Sequence, residues 1–239
     1  VMAISLILFA GNTGYALWKT ARFGGANTSA SNLQVNSQKL ANLGREAING
    51  DPAAFKAFAV TKDQIVADVK LLNDRFGNAP DVSGPISTVT STWTPMGKNA
   101  DQVIASEAAV LALSNNAKNF TDRVPQLQAQ LDEVVRAMSA SGAPSSQIYI
   151  ALRQVVLAAS MARRVAEIRA GGPGAALAGD ALNRDAGVFA QVLNGLRNGD
   201  QAMNVQKLTN AAALSALNQA NSQWADMKKD LDAILASSQ

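Results

Sequence analysis

Trp93–Ser106 reads WTPMGKNADQVIAS, and Trp224–Ser237, 131 positions later, reads WADMKKDLDAILAS. Six residue types return in one unbroken register: Trp93/Trp224, Met96/Met227, Lys98/Lys229, Asp101/Asp232, Ala105/Ala236 and Ser106/Ser237. The chain has only three Trp, so chance does not readily pair two of them in this way. A second stretch agrees. Leu40–Gly50 matches Met161–Gly171 at an offset of 121, and Arg75 and Gly77 match Arg197 and Gly199 at 122. Internal repeats decide architecture before any local reading does. This one says that the chain holds two copies of one module.

The first copy is expected over 27–141 as a four-helix module. The second is expected over 143–239. It stops two residues after Ser237, where the first copy runs on for another helix, so it reads as a module cut before its last element. Residues 1–22 open with the apolar, uncharged Val1–Trp18, followed by Lys19 and Arg22. A full span needs about 20 apolar residues, with aromatic residues at the interface. The segment reads as the C-terminal part of a transmembrane helix or as the apolar core of a signal peptide. No small-x-small cleavage pattern clearly follows it, which favours the membrane helix.

Composition excludes several functions. The chain has no His and no Cys. Histidine-based zinc sites, catalytic triads and pH switches are therefore out, and no cofactor or metal site is expected. The absence of Cys suits an oxidising compartment. Net charge is +3 over 239 residues, too small and too dispersed for nucleic acid. Aromatic residues make up 5%, too few for single-strand stacking. Gly171–Gly174 lacks the Lys-Ser/Thr of a phosphate loop and reads as a helix–helix turn. An enzyme is not expected.

The secondary structure reads as all-α. Good helix formers fill the runs, and apolar residues recur at spacings of three and four. Four stripes stand out: Val124, Leu127, Leu131, Val134, Val135 and Met138; Tyr149, Leu152, Val156, Ala159 and Ala166; Val188, Phe189, Val192, Leu193 and Leu196; and Leu208 through Trp224 to Leu235. Ile86–Thr92 is β-branched but follows Ser83-Gly84-Pro85, a helix start. Breaks are expected at 49–52, 77–80, 141–144, 171–174 and 198–200. Pro95 and Pro125 fall inside helical pattern and should kink or restart it. Short links give tandem up-down helical bundles, expected as an elongated rod after the membrane segment. Trp93 and Trp224 are expected as core anchors.

Several stretches carry a resemblance. Leu33–Asn42 (LQVNSQKLAN), Lys98–Leu111 (KNADQVIASEAAVL), Val124–Val135 (VPQLQAQLDEVV), Gly142–Ala158 and Asn183–Asn210 resemble, in order, the sensor region of type IV pilus methyl-accepting chemotaxis receptors. The resemblance covers nearly the whole chain. It implies a periplasmic sensor on an inner-membrane receptor that works as a homodimer. It further implies a cytoplasmic chemotaxis kinase and adaptor reached through a C-terminal part not contained here, and control of twitching motility. Pilin is a further partner of interest. The first helix is also similar to that of nitrate-sensing kinases, which place an Arg at the dimer interface. Here Gln34 stands at that position, and an amide cannot give the bidentate grip of a guanidinium. The alternative function is an anion-sensing ectodomain of a histidine kinase or cyclase.

The candidate ligand-binding residues are Asn36, Ser37 and Lys39 on the first helix of copy one and Arg153 on the first helix of copy two. Lys39 is expected as the anionic contact in copy one, and Arg153 in copy two. A signal there would shift packed helices and pass through the membrane without chemistry. Asp63/Asp185 and Asp101/Asp232 are expected to form helix salt bridges.

Overall fold

The computed structural model describes residues 24–80 and 82–237, so the apolar 1–22 segment lies outside the described residues. Among the described residues there are seven helices: α1 (Gly24–Ile48), α2 (Pro52–Phe76), α3 (Ser83–Ala105), α4 (Glu107–Ala140), α5 (Ser145–Ala170), α6 (Ala175–Asn198) and α7 (Ala211–Ser237). None of them is long and apolar enough to cross a membrane. The only pairing of extended backbone among the described residues is an isolated antiparallel bridge between Asp200 and Val205. The fold is all-α, as the periodicity implied.

The helix ends fall at the expected punctuation. Asp51 caps α2, its carboxylate accepting from the Ala53 N–H at 2.8 Å, and Pro52 takes the first helical position. Gly142, Gly171 and Gly199 close helices with φ of +73°, +69° and +87°. An L side chain is strained in that region, and glycine is not. Ile86–Thr92 is helical within α3.

Two expectations need correction. Helices α3 and α4 run through Pro95 and Pro125 without the expected restart, and the interruption falls at Ser106. Ser106 keeps right-handed helical dihedrals (φ −84°, ψ −3°). Its N–H bonds the Gln102 carbonyl, and its carbonyl accepts from Val110. The junction is a one-residue irregularity with no glycine. The second correction concerns α5. The stripe Tyr149, Leu152 and Val156 is exposed at 61%, 45% and 67%. The buried face is Gln147, Ala151, Gln154, Ala158, Met161, Val165 and Ile168, whose spacing of three and four includes two glutamines. Apolar periodicity alone selected the wrong face because two polar residues occupy the right one.

The chain packs as two compact units divided at Leu111/Ala112. That boundary does not coincide with the 27–141 and 143–239 repeat modules. In the first unit, α1 and α2 form a helical hairpin across a three-residue link. Leu33, Leu40, Phe58, Ile65, Leu72, Ile86 and Trp93 are buried in its main cluster, and Ala47, Ala54 and Phe55 in a smaller one. Gly44 admits the Phe58 ring, since a Cβ there would stand 3.2 Å from it. Lys62 of α2 reaches Asp101 of α3 at 2.6 Å and Asp63 at 3.7 Å.

In the second unit, one cluster joins four helices. Phe120, Leu127, Leu131 and Val134 of α4 are buried with Met161 and Val165 of α5, Phe189 and Leu193 of α6, and Leu217, Trp224 and Leu231 of α7. The C-terminal part of α4 thus supplies a fourth wall, and copy two is not an open three-helix module in this packing. The Phe189 and Trp224 rings lie 4.6 Å apart at 54°, a tilted contact favoured by aromatic quadrupoles. Asp185 pairs with Arg164, and Asp232 with Lys228, each at 2.6 Å. These are the expected salt bridges.

Candidate functional site

Ser37 lies one and two positions from Asn36 and Lys39 on α1, so it does not share a helix face with either. Ser37 is fully buried in the first unit, and its hydroxyl donates to the Leu33 carbonyl at 2.5 Å. Asn36 is half-buried and hydrogen-bonds the Asp68 carboxylate of α2. Burial holds Asp68 above the usual carboxylate range, against the opposing effect of that bond. Lys39 is exposed, as is Gln34. The three α1 candidates therefore point three ways: into the core, toward α2, and into solvent. They do not converge on one cavity.

The α5 candidate sits differently. Arg153 is exposed and stacks over the Tyr149 ring one turn earlier, at 6.0 Å from its centroid. It has no carboxylate partner among the described residues. It lines a groove of about 610 Å³ in the second unit. The groove walls come from α5 (Tyr149 to Arg164), α6 (Asp185, Val188, Val192) and the α6–α7 loop (Met203, Val205). Its volume falls within the range of small-molecule sites.

The loop that closes the groove is firmly held. Asp200 and Val205 exchange backbone hydrogen bonds, both 2.8 Å. The Asp200 carboxylate accepts from the Gln191 amide at 3.0 Å and the Met203 N–H at 3.1 Å. These bonds, that of Gln191 first, hold its pKa below the usual range. Asn204 takes the left-handed region at φ +54°, which asparagine tolerates better than most residues. Gly195 lets the loop approach α6, since a Cβ would meet Asp200 and Val205 at 3.1 Å. From α5, buried Gln147 clamps the loop twice. Its amide nitrogen donates to the Asn204 carbonyl, and its carbonyl accepts from the Gln206 N–H, both at 2.8 Å.

Gln154 is the residue that composition and motifs missed. It is 4% exposed and lines the groove. Its amide nitrogen donates to the Ile150 carbonyl at 3.0 Å, while its Oε1 is buried with no hydrogen-bond partner among the described residues. The Ile150 carbonyl fixes the amide orientation, because only a donor can face it. Gln147 and Gln154 are glutamines seven apart on a buried register. That was the signal in the sequence. Among the described residues, no group of acidic side chains has metal-ligand spacing.

No family model matches the chain. It is 31% identical over its whole length, 244 aligned residues, to Protein PilJ of Pseudomonas aeruginosa, covering 36% of that protein. It is 31% identical over 190 residues, 80% of the chain, to the putative methyl-accepting chemotaxis AlkN of Alcanivorax borkumensis, covering 28% of that protein. The chain thus spans about a third of the length of these relatives. Full-length similarity to one and extensive similarity to the other, on an all-helical fold, carry one conclusion: the chain is PilJ-like, homologous to about a third of a methyl-accepting chemotaxis protein.

Proposed function

We propose that the chain is the periplasmic sensor region of an inner-membrane chemoreceptor that controls type IV pilus motility through a cytoplasmic histidine kinase and its adaptor. The observation that carries this reading is the 31% identity to PilJ across the entire chain. The fold fits the task, because packed helices can slide or rotate to pass a signal without chemistry. Residues 1–22 serve as part of a membrane helix, and 27–141 and 143–239 descend from one duplicated module. The receptor is a homodimer. The exposed stripe Tyr149, Leu152 and Val156 on α5 supports this, since a contiguous apolar strip on a helix favours an identical strip on a second copy. The input is read at Arg153 and at Lys39, with Asn36 and Ser37 shaping α1 beside it. Pilin is a candidate protein signal.

An anion-sensing ectodomain of a histidine kinase or cyclase is the second reading. It is favoured by the guanidinium of Arg153, which has no ion pair among the described residues and lines a groove. One experiment addresses location and dimerisation together. The chain has no Cys, so Val156→Cys in an otherwise cysteine-free full-length receptor gives a single reporter. Labelling by a membrane-impermeant maleimide in intact cells and disulfide-linked dimers on oxidation are expected. A thiol that is labelled only after lysis contradicts the periplasmic location, and a labelled thiol that never cross-links contradicts the dimer.

A further inference from the structure

We propose that the groove between α5, α6 and the 200–205 loop binds a small neutral molecule with a hydrogen-bond donor on an apolar body, and that Gln154 Oε1 is the acceptor that selects it. The inference goes beyond the sensor reading. It rests on Gln154 and the groove, and it stands whether or not Arg153 carries a signal.

A buried acceptor without a partner is costly, and native proteins seldom keep one without reason. Gln154 gains little in exchange, because its single side-chain bond goes to a carbonyl of its own helix, four residues back. The same position on the buried face of α5 would otherwise suit an Ala or Met, as at Ala151, Ala158 and Met161. The orphan oxygen therefore asks for a donor, and Gln154 is itself part of the groove wall, so a small shift of its side chain would bring Oε1 to a bound donor. Ile150, Leu157, Val188, Val192 and Met203 provide apolar lining. The lining also holds the Tyr149 and Ser160 hydroxyls, which can accept, so the Gln154 substitutions below separate its contribution from theirs. Asp185 is engaged by Arg164 at 2.6 Å, and Arg153 offers only donors. An ammonium ligand is disfavoured because two arginines against one carboxylate leave the lining net positive. A neutral hydroxyl or amide on an apolar body matches what remains. The walls are preformed, since Gln147 and the Asp200–Val205 pair hold the loop in place without a ligand.

Two isomers test the idea with little else changed. 1-Hexanol and dipropyl ether share a formula and differ in whether they donate a hydrogen bond. Each is titrated into the 239-residue chain, with the methyl resonances of Ile150, Leu157, Val188 and Val192 followed by NMR. Saturable shifts are expected, with 1-hexanol binding about ten-fold tighter than the ether, a ratio set by one hydrogen bond. Gln154→Leu and Gln154→Met are expected to bring the two isomers to equal affinity while retaining helical circular dichroism. Equal binding to the parent contradicts the proposal, and so does an absence of saturable shifts, which would leave water as the partner of Oε1. A preference for hexanol that survives both substitutions also contradicts it.

Discussion

Helices α1 and α5 hold the same place in the repeat and treat their polar residues in opposite ways. On α1 the buried hydroxyl of Ser37 is satisfied by its own helix, and Asn36 is tied to Asp68. On α5 the buried oxygen of Gln154 and the Arg153 guanidinium have no hydrogen-bond or carboxylate partner, respectively, among the described residues, and Arg153 stacks on Tyr149. The exposed apolar stripe also belongs to α5. Two helices that carry matching sequence thus differ, one closed and one with open valences. The lesson is that a shared motif does not guarantee a shared site, because each copy's packing partners decide which polar atoms remain available.

The largest expected effect separates the two units. Trp224→Ala empties the contact with Phe189 and should cost about 3–5 kcal/mol. Hydrogen exchange should then accelerate in α5, α6 and α7, with α1 and α2 keeping their protection. Equal loss in both units would mean that they melt as one and would blunt the comparison.

A smaller effect, of opposite sign on the two first helices, sharpens it. Gln154→Leu removes an unpartnered acceptor and should stabilise the chain by about 1 kcal/mol. That raises the melting midpoint by roughly 2–4 °C for a protein of this size. Ser37→Ala removes a satisfied hydroxyl and should destabilise by about 0.5–1 kcal/mol. A drop in midpoint for Gln154→Leu would mean that its oxygen is satisfied after all.

The smallest effect depends on pH. Burial raises the Asp68 pKa, so the folded state holds that proton more tightly than the unfolded chain does. The stability from protonation is complete below the ordinary aspartate value of 3.8 and is lost as pH rises through the folded value. Asp68→Asn keeps a hydrogen-bonding partner for Asn36 and removes the buried charge. It should melt slightly above the parent at pH 7, and the gap should close below pH 3.8. A gap that does not change with pH would place the effect outside this titration.

Much of the fold was legible. Glycine and Asp-Pro punctuation marked the ends of α1, α2, α4, α5 and α6, because positive φ and missing N–H groups are local demands that few residues meet. Trp93 and Trp224 are both buried, at 7% and 6% exposure, as their repeat register implied. The Ser106 irregularity was not legible. Its dihedrals suit any residue, and no glycine or proline marks it. Neither proline restarts its helix, since α3 continues past Pro95 and α4 past Pro125. The candidate site was half legible. Arg153 could be picked as a charge, but the groove depends on a loop pinned by Gln147 from 57 residues away. No local pattern encodes such a contact.

On the proposed reading, a signal enters on the first-helix surfaces and is passed on to motility. The most direct measurement compares twitching zones of strains whose full-length receptor carries Arg153→Glu or Lys39→Glu, at matched protein level. Each substitution lies on an exposed surface and should leave the stability within about 0.5 kcal/mol of the parent. The account expects a changed zone for both, larger for Arg153→Glu because that side chain lines the groove. Parental twitching in both strains would contradict it.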